Sequence, residues 1–220
     1  MASMVLYNYF RSSTSFRVRA ALHIKGLDFE YKPINLLKGE QHSPEYRKLN
    51  PLGGLPTLVH NGKVMPDSAA ILEYLEEIAP APSLFPADPY LKARIRQVCE
   101  IVNSSMHPYG NLKITQYLGE TLGFTQEQKD QWVQKWVTQG LEALEKTLPE
   151  FSGTYCFGDK ITMADLYVYP QVITCQRFHV DLSKYPTVMK IYENCHKNEF
   201  FQKAHFSRQI DTPEELRAKN

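Results

Sequence analysis

Four of the chain's 14 prolines, Pro80, Pro82, Pro86 and Pro89, fall within residues 79–89. Proline fixes φ and lacks a backbone N–H, so neither a helix nor a central strand can run through such a stretch. The chain is therefore expected to divide there, into residues 1–82, a linker over 83–89, and residues 90–220. Leu84 and Phe85 give the linker an apolar anchor. Strand and helix signals alternate before this stretch, and only helical patterns follow Tyr90. The 220 residues suffice for two small domains, each with its own core.

In the first part, Val5, Leu6 and Tyr7 form an apolar strand that runs into Ser12, Ser13 and Thr14. A helical pattern spans about Ser13 to Lys25 and stops at Gly26, a natural residue to follow a helix end. Phe29 to Ile34 alternate ring and polar side chains, as a strand does, with Pro33 marking an edge or an end. Strand, helix and strand at this spacing predict a βαβ unit with a parallel pair. A short helix is expected over Pro44–Leu49. Pro56 then opens a strand, Asn61-Gly62 is a two-residue hairpin signal, and Lys63-Val64-Met65 returns. Asp67 or Ser68 caps a helix carrying Ala69, Ile71, Leu72, Leu75 and Ile78. The expected order is β-α-β-α-β-β-α.

In the second part, a long helical pattern covers Leu91–Leu118, with a break expected at Pro108. Thr125 caps a second long helix that runs to Leu148. Thr162 and Asp165 stand at capping-box spacing, with Ile161 and Leu166 as the apolar staple. That helix is expected to reach about Cys175, and a further one spans about Tyr185–Lys197. The polar tail from Gln209 is expected to be loose.

The charge pattern excludes several functions. The 25 basic and 24 acidic residues leave a net charge of +1, and the basic ones are scattered, so no nucleic-acid groove is expected. No apolar run approaches the ~18 residues of a membrane span. Met1-Ala2-Ser3-Met4 lacks the features of a secretory signal. Cys99, Cys156, Cys175 and Cys195 stand far apart with no C-x-x-C. They fit thiols in a reducing compartment, which points to the cytoplasm. No His/Cys cluster has metal-binding spacing.

The chemistry concentrates where the first helix begins. Ser12 or Ser13 can cap its free N–H groups, and the same end favours negative charge by about 0.3–1 kcal/mol. Hydroxyls, N–H groups, the positive dipole end and Arg11 thus converge on a place suited to a small anion or a thiolate. An ordinary capped helix has the same local sequence, so this tripeptide alone does not decide between the two.

Taken together, the motifs resemble the cytosolic glutathione transferases, and within them the zeta class that includes the maleylacetoacetate isomerases. The resemblance covers essentially the whole chain. It is carried by Tyr9-Phe10-Arg11-Ser12-Ser13, Phe16-Arg17-Val18-Arg19, Leu49-Asn50-Pro51, Leu55-Pro56-Thr57-Leu58 and Asp67-Ser68-Ala69-Ala70-Ile71. In the second half it rests on His107-Pro108, Asn111-Leu112, Gly158-Asp159, Thr162-Met163-Ala164-Asp165 and Gln176-Arg177-Phe178 with Val180-Asp181-Leu182. It implies a thioredoxin-like N-terminal domain followed by an all-helical C-terminal domain, with Pro56 in the cis form.

The resemblance further implies glutathione as cofactor, a small-molecule substrate and a homodimer. Leu55 would pair through its backbone with the peptide part of glutathione, beside Pro56. Asp67 and Ser68 would hold the γ-glutamyl carboxylate. Gln41 or His42 would reach the glycine end, and His107 and Asn111 would add contacts. Ser12 or Ser13 would donate a hydrogen bond to the sulfur, with Ser12 favoured and Ser13 capping or assisting. A free thiol has a pKa near ~8.5, and a helix N-terminus and cations lower it. Arg11 and Arg177 would hold the substrate carboxylate and the developing enolate; outside the motif Arg177 reads as a surface ion-pair residue. The implied reaction is addition of the glutathione thiolate to a cis maleyl double bond, rotation and elimination to the trans fumaryl product, in aromatic amino-acid catabolism. Maleylpyruvate isomerisation, or transfer to small α-halo acids, would use the same thiolate. The chain departs from the family's pattern at Thr14, where Cys or Ala is frequent, at Phe16 and at Lys113. Some relatives acting on maleylpyruvate carry Thr at the first of these positions.

Overall fold

The computed structural model describes residues 4–218. Contacts divide the chain into two compact units. One holds the residues up to Ser83 together with those from Asn198 onward, and the other is Leu84–Lys197. The boundary between the units falls inside the expected linker, between Ser83 and Leu84, and the residues from Asn198 onward associate with the strand-bearing part.

The first unit is built on a four-stranded sheet in the order β2-β1-β3-β4, with β1 Met4–Asn8, β2 Glu30–Pro33, β3 Thr57–His60 and β4 Lys63–Pro66. β1 pairs parallel with β2 and antiparallel with β3, and β3 pairs antiparallel with β4. The parallel pair requires a crossover, and α1 (Ser13–Ile24) supplies it. The hairpin turn has φ of 51° at Asn61 and 75° at Gly62. Two positive values in succession are what a type I′ turn needs, and they explain why Asn-Gly stands there. The short helix α2 occupies Pro44–Leu49 and α3 occupies Ser68–Ile78. The Leu55-Pro56 bond is cis, as the resemblance implied, and so is Ala81-Pro82.

The helix α1 is buried along most of its length, and even Arg17 and Arg19 are fully enclosed. The helix packs against α3 and against a C-terminal helix, Glu199–Ala204, that the sequence reading did not foresee. The tail beyond it is not loose as expected. Gln209 donates through Nε2 to the carbonyls of Lys203 and His205, at 2.9 and 2.7 Å, and the Asp211 carboxylate accepts from the Phe10 N–H at 3.0 Å.

The second unit is helical. Its helices are α4 (Pro89–Ser105), α5 (Leu112–Glu120), α6 (Gln126–Thr147), α7 (Met163–Arg177) and α8 (Pro186–Lys197). The C-terminal helix Glu199–Ala204 of the first unit is then α9. The long pattern breaks where Pro108 predicts, in a short 3₁₀ turn over His107–Gly110. α4 packs against α6 and α7, and α7 against α8. Gly140 on α6 is required by close packing, because a Cβ there would lie 2.1 Å from Cγ of Met106. Leu84 is buried, and its carbonyl accepts from the N–H of Met163 at 2.9 Å, so the linker anchor engages the start of α7. The buried Asp165 carboxylate accepts from the Thr162 N–H at 2.8 Å, the Thr162 hydroxyl at 3.0 Å and the Cys156 N–H at 2.8 Å.

Candidate active site

The chain leaves β1 at Asn8 and turns through Tyr9-Phe10-Arg11 into α1. Ser12 is the N-cap: its backbone is extended and its Oγ accepts from the Ser15 N–H at 3.1 Å. The choice left open in the sequence is thereby made, since Ser12 caps and Ser13 is the first helical residue. The Thr14 hydroxyl donates to the carbonyl of Leu55 at 2.9 Å. It has one proton, so in its 2.9 Å contact with Ser12 it must accept, and Ser12 donates. Ser12 is thus engaged on both sides. The Ser13 hydroxyl has no hydrogen-bond partner among the described residues and is half-exposed.

Thr14 therefore ties the two loops that matter here, the turn before α1 and the cis-proline loop. A departure in the sequence becomes a structural link. Arg11 is exposed, with its guanidinium carbon 5.9 Å from the Phe10 ring centroid.

The α3 N-terminus is unusual in a way the sequence did not signal. Asp67 occupies the N-cap position with φ 75° and ψ 124°, and its side chain makes no capping hydrogen bond. Positive φ at a residue other than glycine is costly, and such conformations gather at functional sites. The Asp67 N–H donates to the Pro56 carbonyl at 3.2 Å, which fastens this turn to the cis-proline loop. The carboxylate is exposed, and simple capping does not explain it. Ser68 is buried, and its Oγ accepts from Nη1 of the enclosed Arg17 at 3.3 Å. The first-turn N–H groups of α3 and a guanidinium thus lie beside one serine. Such an arrangement takes a carboxylate well.

Gln41 is buried and donates from Nε2 to the Leu36 carbonyl at 3.3 Å, while its Oε1 has no partner among the described residues. His42 is exposed and in contact with Gln41 and Arg47, so both side chains are engaged locally. In the helical unit, His107 begins the 3₁₀ turn and Asn111 caps α5, accepting at Oδ1 from the Lys113 N–H at 3.1 Å. Lys113 is exposed. Arg177 is in the last turn of α7, exposed, with its guanidinium carbon 4.8 Å from the Phe178 ring centroid.

Two family models match the chain, the glutathione S-transferase N-terminal domain over residues 6–83 and the C-terminal domain over residues 113–203. A maleylacetoacetate isomerase of Mus musculus is 46% identical over 215 residues, covering 97% of both chains. The solved holo structure of a bacterial maleyl pyruvate isomerase of the zeta class superposes with a TM-score of 0.93 at 37% identity, covering 95% of this chain and all of that one. A maleylacetoacetate isomerase from Anaeromyxobacter dehalogenans 2CP-1, solved with glutathione in its active site, has a TM-score of 0.87 at 37% identity, over 96% and 99%. This chain belongs to the zeta class of the glutathione transferases.

The transferase places Ser12, Ser13, Thr14, Leu55, Pro56, Asp67 and Ser68 in one compact unit, where hydrogen bonds join Ser12 to Thr14, Thr14 to Leu55 and Asp67 to Pro56. His107, Asn111 and Arg177 belong to the other. Sequence reasoning missed one group that supports the site. Arg19, fully buried, donates from Nη1 to the Asn8 side chain at 2.9 Å and the Tyr9 carbonyl at 3.3 Å, and from Nη2 to the Phe10 carbonyl at 3.0 Å. Burial pulls the Arg19 guanidinium down to about 10, against the attraction of Tyr31 and Asp211, so it is still charged at neutral pH. The available signal was the pair Arg17 and Arg19, two positions apart on a helix otherwise apolar in this stretch.

Proposed function

We propose that this transferase is a glutathione-dependent cis–trans isomerase of a maleyl compound, with maleylacetoacetate as substrate and fumarylacetoacetate as product. The observation that carries the reading is the pairing of two features in one unit. A hydroxyl-lined helix start bears Ser12 and Ser13, and a strained Asp67-Ser68 turn is fastened to the cis-proline loop. The donor set fits glutathione. Ser68, the N–H groups of α3 and the charge of Arg17 suit the γ-glutamyl carboxylate, whereas the Asp67 carboxylate suits the ammonium of the same group. Splitting the pair in this way satisfies charge, since one carboxylate repels another. Leu55 offers backbone next to Pro56.

When bound, glutathione supplies a thiolate that adds to the double bond and leaves again, so that rotation can occur between the two events. The protein's part is to keep that sulfur ionised and to hold the substrate. Ser13 donates its free hydroxyl proton toward the sulfur, and Ser12 does so when its hydroxyl turns from Thr14. The α1 dipole and Arg11 favour the negative charge. Arg11 and Arg177 hold the substrate carboxylate and the charge that develops on its carbonyl oxygen. His107 and Asn111 serve as further polar contacts to glutathione, and Gln41 serves at the glycine end. The family resemblance supports a homodimer working in the cytoplasm, which sedimentation at micromolar concentration tests.

Absorbance of maleylacetone incubated with the protein, with and without glutathione, is the deciding experiment. Turnover that requires glutathione is the expected result. Glutathione binding without isomerisation would move the reading to a conjugating transferase acting on α-halo acids. Maleylpyruvate belongs in the same assay as the second reading. It is favoured by Thr14 and by the similarity to the maleyl pyruvate isomerase structure.

A further inference from the structure

The turn that presents Arg11 and Ser12 is held from behind by residues with no part in the chemistry above. Phe10 immediately precedes Arg11, and both of its backbone groups are engaged. Its N–H donates to Oδ2 of Asp211 at 3.0 Å, and its carbonyl accepts from Nη2 of Arg19 at 3.0 Å. The other oxygen of Asp211 accepts from the Tyr31 hydroxyl on β2, and that desolvated phenol is pushed well above its ordinary range. Arg19 also donates to the Ala204 carbonyl at the end of α9, from Nε at 3.1 Å and Nη2 at 3.0 Å. The same guanidinium holds Asn8 and Tyr9. One carboxylate from the tail and one guanidinium from α1 therefore grip successive backbone atoms of a single turn. The negative charge meets the Phe10 N–H and the positive charge meets its carbonyl. Phe10 is almost fully buried, so an error in its placement has no soft side chain to absorb it and passes directly to Arg11 and Ser12.

We propose that Asp211 and Arg19 are positioning residues for the turn that carries Arg11 and Ser12, so that the C-terminal segment sets the aim of the thiolate site. The inference rests on the reading of that turn as the place where the glutathione sulfur is held. A displacement of about 1 Å in such a group can cost on the order of 10²-fold in rate.

The test uses the full chain and three variants, read by the pKa of the bound glutathione thiol from its ultraviolet thiolate absorbance, by kcat and KM, and by Tm. Asp211→Asn keeps the shape but replaces one accepting oxygen with a donor and removes the charge facing Arg19. It is expected to raise the bound thiol's pKa and lower kcat about tenfold, with KM for glutathione within about twofold. Asp211→Glu restores the carboxylate and is expected to lie between Asp211→Asn and the unaltered protein. Tyr31→Phe leaves the Phe10 bond intact and is expected to lower Tm without moving the thiol pKa. A fall in Tm alone for Asp211→Asn, with thiol pKa and kcat unchanged, overturns the proposal. So does a Tyr31→Phe shift in thiol pKa as large as that of Asp211→Asn. Should Asp211→Asn not fold, Asp211→Glu decides: a raised thiol pKa supports the inference and an unchanged one overturns it. Ser12→Ala and Ser13→Ala separate the two readings. If neither moves the thiol pKa, the turn is not the thiolate site and the functional reading fails. If either does while Asp211→Asn does not, only the positioning inference fails.

Discussion

Replacing Thr14 by valine should make the bound glutathione thiol more acidic and the protein less stable. Valine keeps the branched shape and loses two hydrogen bonds, the 2.9 Å donation to the Leu55 carbonyl and the 2.9 Å acceptance from Ser12. Each neutral bond contributes about 0.5–1.5 kcal/mol, so stability should fall by about 1–3 kcal/mol. The Ser12 proton then has no acceptor at position 14 and is available to the sulfur. A hydrogen bond to a charged group contributes about 1.5–3 kcal/mol against about 1 for the neutral one lost. The net gain of roughly 1 kcal/mol corresponds to about 0.7 of a pKa unit downward, at 1.36 kcal/mol per unit. Thiolate absorbance of the glutathione complex across pH gives the first quantity, and urea unfolding the second. A thiol pKa that stays put or rises in Thr14→Val would refute the argument that Thr14 withholds the Ser12 proton. Ser13 would then carry the thiolate without competition.

Three further outcomes follow from other groups. Arg11→Gln and Arg177→Gln should each lower kcat/KM for a maleyl substrate by on the order of 10²-fold while leaving the glutathione Kd within about threefold; loss of binding together with activity would reassign both side chains. Asp67→Asn removes the charge proposed to face the ammonium and should weaken glutathione about 10- to 100-fold by titration calorimetry, with kcat at saturation much less affected. The half-buried His23 imidazole is held below its usual pKa, first by burial and then by Lys203 and Arg19. A depressed folded pKa means protonation favours the unfolded chain, so His23 contributes stability above about pH 6.5 that is lost as pH falls toward its folded value. Thermal unfolding of His23→Gln should show a shallower fall in Tm over that window, and an unchanged slope would remove His23 from the account.

Much of the first unit was legible because its signals are local. Asn61-Gly62 dictates a turn by its φ values, Pro44 begins α2 at its first position, and the apolar spacing from Ala69 to Ile78 matches α3. The helical unit was legible for the same reason, with Thr125 capping α6 and Pro108 breaking the first long pattern. What escaped depends on contacts distant in sequence. The positive φ of Asp67 is fixed by its N–H reaching the Pro56 carbonyl, and no property of an Asp-Ser pair announces that. The tail looked loose because it is polar, yet its polar groups are what fasten it, through Gln209 and Asp211.

The helix α1 lies where its pattern predicts, over Ser13–Ile24, and what the pattern does not show is where its charges go. Arg17 and Arg19 stand two positions apart, about 200° around the helix, so they leave it on nearly opposite sides. Both are fully enclosed. Burying a guanidinium is costly unless its donors are met. Arg17 reaches Ser68 at the α3 N-terminus, and Arg19 reaches Asn8, Tyr9, Phe10 and Ala204. The acceptors come from the two loops that form the candidate site and from the C-terminal segment that closes over α1. Both charges of α1 are therefore addressed inward. One is directed to the proposed γ-glutamyl end of the site, at Ser68, and the other to its proposed thiolate end, at Phe10. A neutral pair at these positions would leave the helix easier to bury but would leave the Phe10 carbonyl and the Ser68 hydroxyl without their present donors, and it is those two groups that stand next to the proposed chemistry.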